Sequence, residues 1–376
     1  MQPLTGVNVL DFSTLLPGPL ATLILAEAGA EVIKIERPQG GDGQRTLGTP
    51  LGDTTAEFAL LNRGKRSIAI DLKSADAVGR LTPLIREADV LVEQFRPGVM
   101  SRLGFGYEQV RRINSKLIYC SLTGYGQSGP KSMDAGHDLN YIAETGLLTL
   151  AADERGAPVI PPALIADIAG GAYPLVINVL LALRQRESSG EGCMLDVSMS
   201  DNLFPMSIWA QGLTEVEGRS PIAGGEWLTG GSPRYQIYRT ADDRFLACAP
   251  LEQKFWKNFC DTIGLDDEYR DDVRDAKATK AAVTGIIATR TAAEWMTRFE
   301  GIDACVCIAK DLCDAMKSNH FRKRGLFDRR VGDTDASLTA AVVPVTEIFR
   351  TAAGIENFPS LGEDNDTLLG DGGRKP

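Results

Sequence analysis

Histidine is nearly absent from this chain of 376 residues: His137 and His320 are the only two. Chemistry that needs a base titrating near neutrality therefore has few places to reside. Cysteine occurs seven times, an odd number without dense disulfide spacing, and no histidine stands near the close pair Cys305 and Cys307 in a zinc-like pattern. A disulfide scaffold is excluded, and a reduced cytoplasmic protein without a structural metal is expected. Basic charge is short too: 40 Lys and Arg against 50 Asp and Glu leave a formal net charge of -10. Nucleic acid is then not the default partner, although a small phosphorylated ligand held by a local basic cluster is compatible. The N-terminus lacks a basic segment followed by an apolar core, and the apolar stretches are short or interrupted, so no membrane partner is expected. There is no G-x-S-x-G elbow, no Walker loop and no fixed-period repeat, which removes the main support for a serine hydrolase, an NTPase or a solenoid.

What is present is ordinary globular composition, 43% hydrophobic and 24% charged. Over the first 125 residues, short β-branched runs near 6–12, 31–36, 67–71, 89–93 and 117–122 alternate with helical patterns near 19–28 and up to 88. That alternation predicts a parallel sheet with crossover helices. Residues 166–184 read as a long buried helix, 194–197 as a short strand, and the Gly- and Pro-rich residues 218–233 as a linker. Residues 235–251 read as a hairpin turning at 241–244, which opens a second, smaller α+β unit, and the tail from 370 is expected to be loose.

Gly124-Tyr-Gly126-Gln-Ser-Gly129 matches G-x-G-x-x-G after a predicted strand, but Pro130 and the residues after it do not open a helix. A dinucleotide fingerprint belongs on the first strand-helix turn, where this chain has Ser13-Thr-Leu-Leu-Pro-Gly-Pro19 instead, so NAD and FAD are disfavoured.

Two residues stand out as acid-base candidates. His137, in Ala135-Gly-His-Asp-Leu-Asn-Tyr-Ile142, is readable either as a cap at a helix start or as a base. Asp167, in Leu164-Ile-Ala-Asp-Ile-Ala-Gly-Gly-Ala172, is an acid in an apolar run. It is readable as an N-cap or as a reactive group, and the Gly-Gly after it would let a ligand or another chain come close to the backbone. His320, among exposed polar residues, reads as a surface residue.

Several stretches together resemble the family III CoA-transferase (CaiB/BaiF) superfamily, and in particular its α-methylacyl-CoA racemase branch. They are Leu10-Asp-Phe-Ser with Pro17-Gly-Pro19, Ala28-Gly-Ala-Glu-Val-Ile-Lys-Ile-Glu-Arg-Pro38, Asn62-Arg-Gly-Lys-Arg-Ser67, Ile70-Asp-Leu-Lys73, Glu93-Gln-Phe-Arg-Pro-Gly-Val99, the Gly124–Pro130 stretch and Leu361-Gly-Glu363. The resemblance implies an interlocked homodimer whose subunits combine a large Rossmann-like α/β domain with a smaller α+β domain. The expected division is 1–200 for the first part of the large domain, 201–232 for the linker, 233–335 for the small domain and 336–376 for the return.

The resemblance also implies the ligand and the site. Coenzyme A enters as part of an acyl-CoA substrate, with no further cofactor and no metal. In the transferases the residue matching Asp167 is a nucleophile that becomes an aspartyl-CoA thioester; in the racemases it is one of two acid-base groups. The Ala-Gly-His-Asp-Leu-Asn-Tyr stretch and Leu251-Glu-Gln-Lys-Phe255 resemble the racemase pattern, which makes His137, Asp167 and Glu252 the catalytic set, with Glu252 orienting the imidazole. Arg234 and Pro250 depart from that pattern. Racemisation of 2-methylacyl-CoA thioesters is the first expectation, CoA transfer between carboxylic acids the second and a catalytically silent acyl-CoA binder the third. The backbone N–H of Asp138 is an expected enolate donor if His137 opens a helix. Arg37, Lys65, Arg66, Arg96 and Arg102 are the basic residues expected in loops after strands, where open α/β sheets bind ligands; of these Arg37, Lys65, Arg96 and Arg102 are the CoA candidates.

Overall fold

The computed structural model describes residues 2–153, 155–332, 337–350 and 354–370. The tail expected to be loose beyond residue 370 lies outside the described residues. The chain forms two compact units, one of residues 1–145, 162–206 and 319–376, the other of residues 146–161 and 207–318.

The first unit is built on β1 (Asn8–Asp11), α1 (Pro17–Glu27), β2 (Glu31–Glu36), α2 (Ala56–Asn62), β3 (Arg66–Ala69), α3 (Ala77–Glu87), β4 (Val90–Glu93), α4 (Tyr107–Ile113), β5 (Ile118–Thr123), α5 (Asp138–Glu144), α6 (Tyr173–Ser189) and β6 (Met194–Ser198). The strands lie in the order β3-β2-β1-β4-β5-β6 and every pair is parallel. Apart from Asn8, Asp11 and Glu93 at their ends, strands β1, β4 and β5 are apolar or weakly polar and buried, because both faces of a parallel sheet are covered. One face packs Leu10, Ile33, Ile68, Leu91 and Tyr119 against Leu81 and Ile85 of α3 and Val110 of α4. On α1, Leu23 and Ile24 pack with Val176 of α6. Pro17 opens α1, where its missing N–H has no intrahelical role.

The strand order reverses between β1 and β4. Chains leaving the carboxyl ends of those two strands turn to opposite sides and open a crevice, the usual ligand position of such sheets.

Among the described residues one helical stretch, Ala166–Ser189, is long and apolar enough to cross a membrane. Here it is a layer of the fold, with Leu175, Val179 and Ala182 buried. Tyr173, Ile177, Leu180 and Leu181 remain exposed along one stripe of α6. The C-terminal part returns to this unit: Asp364 accepts from Arg66 Nε at 2.8 Å and from Ser67 N at 3.0 Å, at the start of β3.

The second unit contains α7 (Ile208–Glu217), β7 (Gln236–Arg239), β8 (Phe245–Cys248), α8 (Gln253–Ile263), α9 (Ala276–Ile287), α10 (Ala292–Arg298) and β9 (Val306–Ile308). β7 and β8 form the expected hairpin and β9 pairs antiparallel with β8. Trp256, Phe259, Val283, Ile287 and Trp295 make the core beneath this sheet.

The unit boundaries differ from those expected. Residues 146–161 belong to the second unit, residues 207–232 are part of it rather than a linker and carry α7, and the return begins at 319 instead of 336. Gly and Pro content signals turns, and it does not distinguish a turn-rich stretch packed on a domain from a free connection.

Candidate active site

The first strand-helix turn holds a buried charged network. Lys65 Nζ, fully enclosed, donates to Asp11 Oδ2 at 3.2 Å, Thr22 Oγ1 at 2.8 Å, Pro19 O at 2.9 Å and Asn62 Oδ1 at 3.0 Å. Lys34 Nζ sits 2.8 Å from Asp42 Oδ2 and donates to Ser13 O at 2.9 Å. Asp42 in turn accepts from the Leu15 N–H at 3.0 Å, holding Leu15 at φ 62, a left-handed conformation that leucine rarely takes. Strand β1 thus delivers Leu15 to the crevice through a loop locked from beneath.

Lys65 is placed differently from the expectation. It precedes β3 rather than following a strand, and its ammonium is saturated by the chain itself, so it presents no free charge to a phosphate. Arg66 stands at the same strand start, tied to Glu31 and Asp364. The lysine found beyond the carboxyl end of β3 is Lys73, within the Ile70-Asp-Leu-Lys73 motif.

Two cavities open at the carboxyl ends of the strands. One, of about 430 Å³, is lined by Arg37, Lys73, Leu72, Ile35, Ile70 and Leu103, among others. Arg37 and Lys73 are exposed there, and Arg37 Nε is steadied by Gly41 O at 2.9 Å. Arg102 is exposed on the helical turn Val99–Arg102, next to Leu103. The other cavity, of about 420 Å³, collects His137, Asp167, Tyr125, Tyr141, Gln94 and Arg96. Leu15 and Phe95 line both. Phe95 is anchored by its N–H, which donates to the buried Glu93 carboxylate at 2.8 Å.

In the second cavity His137 precedes α5 as its cap residue and is exposed. Its backbone N–H donates to Asn140 Oδ1 at 3.0 Å, closing the helix start from below and leaving the ring at the cavity wall. Asp138 occupies the first helical position, where its N–H has no acceptor within the helix. Its buried side chain accepts from the Asp167 N–H at 3.0 Å and so ties α5 to the segment carrying Asp167.

Asp167 does not cap a helix. It stands inside the first turn of a π-helical segment, Ala166–Ala172, that runs on into α6; such segments recur at functional sites. The close approach expected at Gly170-Gly171 is made by the chain itself: a Cβ at Gly170 would meet Met199 O at 2.4 Å, and Gly170 O accepts from Asn202 Nδ2 at 2.9 Å.

Asp167 is half-buried, and its carboxylate accepts no hydrogen bond from the described residues. Burial pushes its pKa up and neighbouring Asp138 adds to the rise, while His137 opposes it; the result is about 6. A carboxyl group poised there can both take and return a proton near neutrality.

Tyr125 and Tyr141 meet edge to face at 5.2 Å, and Tyr141 Oη donates to Gly136 O at 2.6 Å. A Cβ at Gly124 or Gly136 would run into the Tyr141 ring, so Gly124, the first glycine of the G-x-G-x-x-G stretch, makes room for a tyrosine, and no helix follows the stretch directly. Tyr125, Tyr141, Gln94 and Lys73 are site residues that the sequence reading passed over. Gln94 Oε1 is buried without a hydrogen-bond partner among the described residues, a signal that exists only in three dimensions. Glu252 lies on the second unit, exposed, as the cap residue of α8.

The chain matches CoA-transferase family III over residues 4–365. It is 35% identical to alpha-methylacyl-CoA racemase of Mus musculus, with 97% of this chain and 92% of that protein covered. It is also 34% identical to acetyl-CoA:oxalate CoA-transferase of Acetobacter aceti, covering 78% and 77% of the two chains. The crystal structure of Rv3272 from M. tuberculosis superposes with a TM-score of 0.83 at 30% identity over 98% of this chain and 99% of the other. With a match that spans both units and a crevice that brings His137 and Asp167 together, this chain belongs to CoA-transferase family III.

Proposed function

We propose that the protein racemises 2-methylacyl-CoA thioesters through an enolate. The observation that carries this reading is that His137 and Asp167, two unlike acid-base groups, open into one cavity. A proton alpha to a thioester is weakly acidic, so its removal needs a placed base and donors for the developing oxyanion. Inversion needs in addition a second group that protonates the opposite face. In one direction His137 takes the alpha proton, charge moves onto the thioester oxygen near the Asp138 N–H, and protonated Asp167 returns a proton from the other side. The reverse direction exchanges the roles.

Glu252, exposed at the start of α8, keeps the catalytic role that the resemblance assigns it. The basic cavity takes the nucleotide end of coenzyme A, with Arg37 and Lys73 toward its phosphates and Leu72, Ile70 and Leu103 as apolar walls. Leu15 and Phe95, common to both cavities, flank the passage of the thioester arm. The apolar stripe of α6 supports a homodimer, since a second copy would cover Tyr173, Ile177 and Leu181; a monomeric mass by light scattering at micromolar concentration would contradict that. Seven free thiols suit a reducing cytosolic compartment.

A second reading rests on the 34% identity to a CoA-transferase: the Asp167 carboxylate attacks the thioester carbonyl and expels CoA thiolate, forming a mixed anhydride, and the thiolate then attacks the aspartyl carbonyl, expelling the first carboxylate and leaving an aspartyl-CoA thioester. One experiment separates the two. Single enantiomers of a 2-methylacyl-CoA panel, incubated in deuterated water, exchange the alpha hydrogen with inversion under the first reading. Hydroxylamine modification of Asp167 during transfer, without exchange, establishes the second, and bound CoA with neither reaction overturns both.

A further inference from the structure

We propose that Arg234, which departs from the racemase pattern, is the positioning residue that fixes Glu252. The inference rests on the reading of Glu252 given above. Its guanidinium reaches both neighbours of Glu252: Nη1 donates to Leu251 O at 3.1 Å and Nη2 to Gln253 Oε1 at 2.9 Å. The same group forks onto Asp272, with Nε to Oδ2 at 2.9 Å and Nη2 to Oδ1 at 2.6 Å. Four of its five N–H donors are thereby used. The guanidinium carbon also lies 5.1 Å from the centre of the Trp256 ring, itself buried in the core and held by Nε1 donating to Arg270 O at 2.8 Å.

Asp272 is 7% exposed and Trp256 1%, so the anchor of this fork is rigid. Glu252 itself is exposed and held through its main chain: its carbonyl accepts from Trp256 N at 2.9 Å, and Ala249 N donates to Cys305 O at 3.0 Å just before it. A carboxylate on an exposed helix start has several rotamers and a backbone that frays. Tying the main-chain carbonyl before it and the side chain after it to one half-buried planar cation restricts that freedom. A lysine cannot do this, because an ammonium is a point donor and cannot span a main-chain carbonyl, a carboxamide and a bidentate carboxylate together. Arg234 acts through Glu252 and needs no contact with substrate.

The test compares Arg234→Lys with Glu252→Gln, singly and combined, using alpha-deuterium exchange from a 2-methylacyl-CoA. Lysine keeps a cation beside Asp272 and over Trp256, so the fold persists, which thermal melting checks. Arg234→Lys is expected to lower kcat about tenfold or more with KM changed less than about twofold, as displaced positioning groups do. In the Glu252→Gln background the same change is expected to add less than about twofold, and a crystal structure of Arg234→Lys shows the Glu252 carboxylate displaced. Gln253→Ala, at an exposed side chain, gives the same direction at smaller size should lysine unsettle the unit. Factors that multiply in the double variant, or wild-type kcat in both Arg234→Lys and Gln253→Ala, overturn the inference while leaving Glu252 in place. Full exchange by Glu252→Gln alone instead removes the reading of Glu252, and the inference with it.

Discussion

Two clusters of charge sit on the first unit, and they are handled in opposite ways. Around the first strand-helix turn, Asp11, Lys34, Asp42 and Lys65 are enclosed and paired. Burial is the strongest influence on Asp11 and pushes its pKa up, yet Lys65, Lys34 and the hydroxyls of Ser13 and Thr22 outweigh it and bring the group down to about 2. Burial brings Lys65 down to about 8 against the pull of Asp11. In the neighbouring cavity Asp167 has no cation saturating it, and burial with a second carboxylate takes it to about 6 instead. The first cluster has spent its hydrogen-bonding capacity on the chain and can only hold shape. The second has capacity left, and that remainder is what a substrate can use.

The contrast is broken most severely at the second cluster. His137→Ala and Asp167→Asn are each expected to lower racemisation by about 100-fold to 10,000-fold with folding intact, because each removes one of the two proton transfers. Their residual exchange differs: the Asp167 variant washes the alpha hydrogen out of one enantiomer with retention, and the His137 variant prefers the other. Unimpaired racemisation by His137→Ala ends the racemase reading, whereas a transferase loses everything with Asp167→Asn and little with His137→Ala.

The opposite phenotype is expected at the first cluster. Lys65→Met leaves Asp11 short of a partner in a dry site and is expected to destabilise the protein by about 3 to 5 kcal/mol, read by chemical denaturation. Exchange kinetics of the folded fraction should stay near wild type, and a specific rise in KM for the CoA substrate would return Lys65 to ligand binding.

A smaller effect sharpens the comparison through pH. The folded pKa of Asp167 lies above its unfolded value, so the protonated form favours folding. That stability is present below about pH 4 and is lost as the pH rises through about 6. Two pKa units correspond to about 3 kcal/mol as an upper bound, and partial solvation reduces this to about 1 to 2 kcal/mol. Asp167→Asn should therefore melt higher than wild type at pH 7.5, with the difference vanishing toward pH 4. Equal melting at both pH values would show that Asp167 is solvated after all.

The smallest effect belongs to the basic cavity. Arg37→Ala and Lys73→Ala are each expected to raise KM about 3-fold to 10-fold at unchanged kcat, with the loss shrinking in high salt as exposed phosphate contacts are screened. Steady-state kinetics at two ionic strengths check it.

The alternation of strands and helices was legible because parallel strands covered on both faces are rich in apolar and β-branched residues, and β1, β2, β4 and β5 fall within a few residues of where the runs place them. His137 and Asp167 were legible as well, the first through the scarcity of histidine and the second as an acid in an apolar run. Lys65 was misread because a basic residue next to a strand gives no sign of which strand end it occupies. Lys73, in the same region of sequence, stands at the productive end. Arg234 could be seen as an oddity, and its fork onto Asp272 and the flanks of Glu252 could not, since 38 residues separate Arg234 from Asp272.

The sequence by itself determined the parallel α/β architecture, the family and the two acid-base candidates, because hydrophobic periodicity, motif spacing and the rarity of histidine are local properties of the chain. Only the tertiary structure decided which lysine is spent on the fold, what perturbs Asp167, which tyrosines and glutamine share its cavity and why Gly124 is small. Those outcomes depend on burial and on partners distant along the chain, and one-dimensional order does not carry either.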